Sequence, residues 1–99
     1  MTVQLNLTVN DVPINTDYFV ARFVNHTVSG MVESLEGTGR VKELDLTIED
    51  DRLSILFNGK SIPVNEFVTK IFKSTLQGVL SPLKGVTAPI RKVDIRIRK

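Results

Sequence analysis

The chain contains no cysteine, no tryptophan, one tyrosine and one histidine. The missing cysteines exclude disulfides, thiolate metal sites and cysteine nucleophiles. No uninterrupted apolar run approaches membrane-spanning length, so no membrane association is expected. The opening stretch "MTVQLNLTVN" alternates apolar and polar residues. It therefore reads as a strand and not as a signal peptide. The Asn-x-Thr triplets at Asn6 and Asn25 are then coincidental, and a cytoplasmic protein is expected.

Neither sign of charge dominates, since the net charge is +2, but the charge is unevenly spread. Residues 1–50 hold eight acids against three bases, and residues 51–99 hold ten bases against three acids. Such asymmetry points to charged partners or to self-association. At 41% hydrophobic and 24% charged residues, the 99-residue chain has the composition of a single globular domain, 1–99.

The chain repeats itself. Residues 19–37 and 67–85, offset by 48, share Phe19/Phe67, Val20/Val68, Thr27/Thr75, Gly30/Gly78, Leu35/Leu83 and Gly37/Gly85. Upstream, "LNLTVN" (5–10) matches "LSILFN" (53–58), and downstream "VKELDLTI" (41–48) matches "IRKVDIRI" (90–97). Pro13-Ile14-Asn15 is aligned with Pro63-Val64-Asn65 by a local shift of two residues. The expectation is a tandem duplication, 1–50 and 51–99, folded about a pseudo-two-fold axis, since two copies are too few for a solenoid.

Within each unit an alternating strand (Val3 to Val9; Leu53 to Phe57) ends at a turn signal, Asn10-Asp11 or Asn58-Gly59. A short returning arm follows, edge-like because Pro13 and Pro63 lack a ladder donor. Asn65 is the expected cap of the second helix, and a residue from Asn15 to Asp17 that of the first. The helices show wide apolar stripes: Phe19, Val20, Phe23, Val24, Thr27, Val28, Met31, Val32 and Leu35, then the matching series from Phe67 to Leu83. Both stripes read as core. Pro82 should end or kink the second helix near Leu80, and Gly37 and Gly85 suit helix termination. A last alternating strand closes each unit, and "EDDR" (49–52) forms a tight hairpin between them. Strand-helix-strand twice over predicts an α+β two-layer sandwich, with two helices on one face of a four-stranded antiparallel sheet. The economical topology is ferredoxin-like, strand order fourth-first-third-second. The Leu53–Phe57 strand is then central, in keeping with its extra outward Leu56.

No constellation reaches a catalytic signature, so the protein is expected not to be an enzyme and to need no cofactor or metal. His26 lacks an assignable orienting group and reads as a surface residue. "GTGR" (37–40) lies after a helix and before a strand, the reverse of a phosphate loop. Glu49-Asp50-Asp51 lacks the spacing of a calcium loop. Mid-helix Gly30 and Gly78 each cost about 1 kcal/mol relative to Ala, which suggests close approach of helix backbones or of helix to sheet. The segment "NGKSIPVNEF…GVLSPLKGV" (58–86) resembles one in small uncharacterised prokaryotic proteins, and that resemblance implies no activity.

The expected function is a protein-association module that binds itself. With the predicted strand order, the open sheet face is acidic on one flank (Glu43, Asp45), weakly apolar at Leu56 and basic on the other (Arg96, Arg98). A two-fold axis through that face would set each acidic flank over a basic one in a homodimer. The alternative is a nucleic-acid-binding module gripping phosphates through Lys92, Arg96, Arg98 and Lys99, although the face offers no aromatic for base stacking. A third reading is a small-ligand regulatory domain of ACT-like plan, with its site at a subunit boundary.

Overall fold

Alternation is realised strand by strand. Leu5, Leu7 and Val9 turn inward from β1 (Gln4–Val9), and Leu44, Leu46 and Ile48 from β3 (Glu43–Glu49). Leu53, Ile55 and Phe57 do so from β4 (Arg52–Phe57), and Val93, Ile95 and Ile97 from β6 (Lys92–Arg98). The remaining elements are β2 (Val12–Pro13), α1 (Tyr18–Glu36), β5 (Lys60–Ser61) and α2 (Glu66–Leu80). These come from a computed structural model that describes residues 4–36 and 39–99; Val3, Gly37 and Thr38, which carried sequence expectations, lie outside the described residues.

The sheet has six strands in the order β2-β1-β6-β3-β4-β5, every neighbouring pair antiparallel. This corrects the ferredoxin-like, four-stranded expectation in two ways. First, the arms after Asn10 and Asn58 pair back onto the sheet and become edge strands. Asn10 and Asp11 have φ of 51° and 64°, and Asn58 and Gly59 have φ of 51° and 83°. Two left-handed residues in succession make the tight hairpin turn that matches strand twist. Second, the centre of the sheet is β6 beside β3, not the Leu53–Phe57 strand, which lies between β3 and the edge strand β5. The register explains the preference: Glu43 faces Arg98, Asp45 faces Arg96 and Glu49 faces Lys92. Opposite charges directly across a ladder attract one another, and the predicted order would have parted them to opposite edges.

The order reads the same from either edge when β1, β2 and β3 are exchanged for β4, β5 and β6. β1 and β3 run parallel with β6 between them, and β4 and β6 run parallel with β3 between them. Each half thus brackets the last strand of the other. Two asparagines lock this arrangement. Asn58 Oδ1 accepts the N–H groups of Lys42 (2.8 Å) and Glu43 (2.9 Å), and its Nδ2 donates to the Arg40 carbonyl (3.1 Å). Asn10 Oδ1 accepts from Arg91 (2.8 Å) and Lys92 (3.0 Å), and its Nδ2 donates to the Pro89 carbonyl (3.0 Å).

The offset of 48 holds from β1 into the helices. Ile14 N–H donates to the Leu7 carbonyl and Ile62 N–H to that of Ile55, both side chains being buried. Asp17 caps α1 through the Val20 N–H (2.7 Å), and Asn65 caps α2 through that of Val68 (2.8 Å). Pro13-Ile14-Asn15 and Pro63-Val64-Asn65 are therefore not equivalent, and the two-residue shift aligned there is corrected. α2 ends at Leu80, just before Pro82.

Residues opposite one another across a ladder share a face, so the inward residues of all four long strands line one side of the sheet. Val24, Val28 and Val32 of α1 and Phe72, Leu76 and Leu80 of α2 join them in one core. Both helices therefore cover that side, in a slab 35 × 34 × 18 Å. Because β3 and its counterpart β6 are antiparallel neighbours, the rotation that exchanges the two halves is normal to the sheet and reverses directions within the helix layer, so α1 and α2 are antiparallel.

Candidate functional site

The open face of the sheet is its own counter-ion. Asp45 on β3 holds Arg98 Nη2 at 3.0 Å and Arg96 Nε at 3.7 Å. Lys92 Nζ lies 3.0 Å from Asp11 and 3.9 Å from Glu49, and Thr47 Oγ1 donates to Asp94 (3.1 Å). The hydrogen bond to Asp11, then the charge of Asp11 and those of Asp94 and Glu49, raise the pKa of Lys92 above its ordinary value. The acidic and basic strands meet at the centre of the face, so the expected separation into opposite flanks is corrected along with the strand order. Leu56 is exposed on β4, opposite Asp45 on one side and Ser61 on the other, away from the centre. Among the described residues it is the one large apolar side chain exposed on this face.

The candidate phosphate ligands share this fate. Lys92, Arg96 and Arg98 face carboxylates, and Lys99 Nζ lies 3.4 Å from Ser29 Oγ, at the helix layer. Strand residues facing outward here, from Gln4 on β1 to Ser54 on β4, include no aromatic.

Ser29 and Asp51 are likewise engaged. Buried Ser29 donates its hydroxyl to Asn25 Oδ1 (3.1 Å), an amide oxygen that cannot act as a general base. His26 is exposed on α1. In the acidic turn, Asp51 pairs with Lys73 at 2.9 Å, and that hydrogen bond and charge hold its carboxyl below the ordinary carboxylate value. Among the described residues no group of three or more His, Asp or Glu is placed to hold a metal ion. No helix among them is long and apolar enough to cross a membrane.

The outer face of the helix layer is different. Phe19 (71% exposed) and Phe23 (47%) project from the first turns of α1, while Tyr18 (76%) is exposed at the helix start on the side of Asn25, about 100° around the helix from Phe19. Phe67 (68%) and Ile71 (43%) project from the matching turns of α2. The Phe19 and Phe23 rings stack with centroids 6.0 Å apart, and the Arg22 guanidinium lies 5.3 Å from the Tyr18 ring centroid. Further along the same face come Gly30 and Gly78, where an added Cβ would meet nothing within 4 Å. The close approach expected of these glycines does not occur within the chain. Sequence reasoning placed Phe19, Phe23, Phe67 and Ile71 in the core; the structure puts them in water. The signal that separates them is angular. Phe19 and Val28 are nine residues apart, about 180° around a helix, so one sheet cannot bury both.

No protein-family model, curated protein or solved structure matches the chain.

Proposed function

We propose that the chain is a non-catalytic protein-association module whose binding surface is the outer face of the helix layer. One observation carries this reading: large apolar side chains stand exposed at matching positions of both helices, Phe19 with Phe67 and Phe23 with Ile71. Scattered exposed apolar residues are normal, but a concentration of aromatics on one face marks an interaction surface. The open sheet face, neutralised within the chain and carrying one exposed leucine, is the weaker candidate.

The test is affinity capture by the tagged chain from a lysate that also contains untagged copies. Phe19→Ser/Phe67→Ser is compared with Leu56→Ser on the opposite face. Retained proteins, whether untagged copies or others, should survive Leu56→Ser and disappear with the helix-face pair. Retention that Leu56→Ser abolishes, or that the helix-face pair leaves intact, overturns the assignment.

A further inference from the structure

We infer that the surface binds a second copy of this chain, helix layer against helix layer, about a two-fold axis lying in the plane of the layer. This rests on the reading of the outer helix face as the association surface. Area supports it first. At roughly 200 Å² per free aromatic side chain, the exposed parts of Phe19, Phe23, Phe67 and Ile71 amount to on the order of 450 Å². A stable dimer buries about 800 Å² per partner. Four side chains therefore supply about half of one partner's share, and an apolar patch of this size is in the upper part of the range for a monomer.

Shape then selects the occupant. Each outer stripe has the same spacing: Phe19, Phe23, His26, Gly30 on α1 and Phe67, Ile71, Ser74, Gly78 on α2. Steps of four, three and four repeat a helix-pairing seam. Each stripe is bulky in its N-terminal half and bare in its C-terminal half. Mid-helix glycine costs about 1 kcal/mol relative to Ala, and the space over Gly30 and Gly78 is open in the single chain. Because α1 and α2 are antiparallel, either in-plane two-fold sets bulky halves over bare ones. An axis across the helices lays α1 on α1 and α2 on α2; an axis along them lays α1 on α2. Both pairings are antiparallel, and both seat Phe23 or Ile71 on a glycine of the other copy. Seven residues, about 10 Å of helix, separate the bulky residue from the glycine in both stripes. The surface is thus its own complement, as an isologous interface requires.

Sedimentation equilibrium of the purified chain from 1 to 200 µM tests this. A mass of twice the chain is expected. Phe19→Ser/Phe67→Ser should weaken the dimer by about 100-fold or more, as loss of central aromatic anchors does. Gly30→Leu/Gly78→Leu should weaken it by at least about tenfold, because the seats are filled. Melted at a dilution where both are monomeric, the same glycine variant should match or exceed the unaltered chain, because leucine is the better helix former and meets open space. That pairing of a weaker dimer with an undiminished monomer is one that a merely structural role would not produce. A monomer at 200 µM overturns the inference. So does a dimer indifferent to the glycine substitutions, or one that Leu56→Glu dissociates while Phe19→Ser/Phe67→Ser does not. A monomer that still captures another protein through Phe19 and Phe67 overturns the second copy as partner and leaves the association surface standing. A monomer that captures nothing removes both.

Discussion

Replacing Asn58 with alanine should unlatch the two halves of the sheet. The side chain makes three hydrogen bonds, to Lys42 N–H, Glu43 N–H and the Arg40 carbonyl, and so fixes the entry of β3 against the turn after β4. Each is worth about 0.5–1.5 kcal/mol net, and the site is exposed, so water replaces part of the loss and the low end applies. The backbone adds its own cost. At φ 51° the position is left-handed, where an L-residue with a Cβ is disfavoured by about 1–2 kcal/mol and Asn is better tolerated. Together these put Asn58→Ala at about 2–4 kcal/mol, or a Tm lowered by about 10–25 °C in a domain of this size. Urea unfolding followed by circular dichroism measures it, and two companions divide it. Asn58→Gly relieves the backbone but loses all three bonds, so it should recover about 1 kcal/mol of the alanine loss. Asn58→Asp keeps the acceptors and loses only the bond donated to Arg40, so it should be the mildest. Asn10→Ala, whose side chain holds Arg91, Lys92 and Pro89 in the same pattern, should fall in the same range. A cost under about 0.5 kcal/mol for Asn58→Ala, or Asn58→Gly as stable as the unaltered chain, would show that water replaces the latch and would refute the reasoning.

Leu46, 1% exposed and opposite Ile55 and Ile95, should cost about 2–5 kcal/mol as Leu46→Ala. The urea midpoint should fall at unchanged slope, and a loss below 1 kcal/mol would mean that the centre of the sheet is not packed as described. Folded Asp51 is held below its ordinary 3.8 by Lys73, so its contribution is present above that pH and lost as pH falls through the lower folded value. Lys92 is raised above 10.5, so its contribution is complete below that pH and lost only as pH rises beyond it. Neither group should tilt stability between pH 5 and 9, and Asp51→Asn should flatten the acid limb of Tm against pH; an unchanged limb would remove the Lys73 pair from the account.

The elements were legible because each depends on short-range chemistry. Alternation marked all four long strands, Asn65 marked a helix start and Pro82 a helix end. Strand order was not legible from those local signals. The first strand could pair with either alternating strand of the second half, and Leu56 argued for the wrong centre. The deciding information was in the charges of the outward residues. An acidic strand and a basic strand with matching parity, Glu43, Asp45 and Glu49 against Arg98, Arg96 and Lys92, are most stable side by side. The short edge strands were foreshadowed by their turns but have only two residues each, too few for periodicity to register.

The helix face was hidden for a geometric reason. An apolar arc that runs from Phe19 through Phe23, Val20, Val24 and Val28 to Val32 covers more than half of a helix circumference. A sheet below and water above divide such an arc, and hydrophobicity alone does not say where. The polar residues do. Asn25 and Ser29 are buried and bonded to each other at 3.1 Å, which turns the sheet-facing side of α1 toward Val24, Val28 and Val32. The Phe19–Phe23 edge is turned outward as a result. In α2 the positions matching Asn25 and Ser29 are Lys73 and Gln77, which are half-buried and hydrogen-bond to polar partners just before β4 and β6, Asp51 and the Ile90 carbonyl. The two helices are therefore rolled alike by different chemistry, and both present their aromatic edge to solvent. When unlike residues enforce the same roll, the exposed face is not an accident of one helix's packing. Burying those aromatics at roughly 25 cal/mol per Å² is available only to a second surface laid over both helices at once.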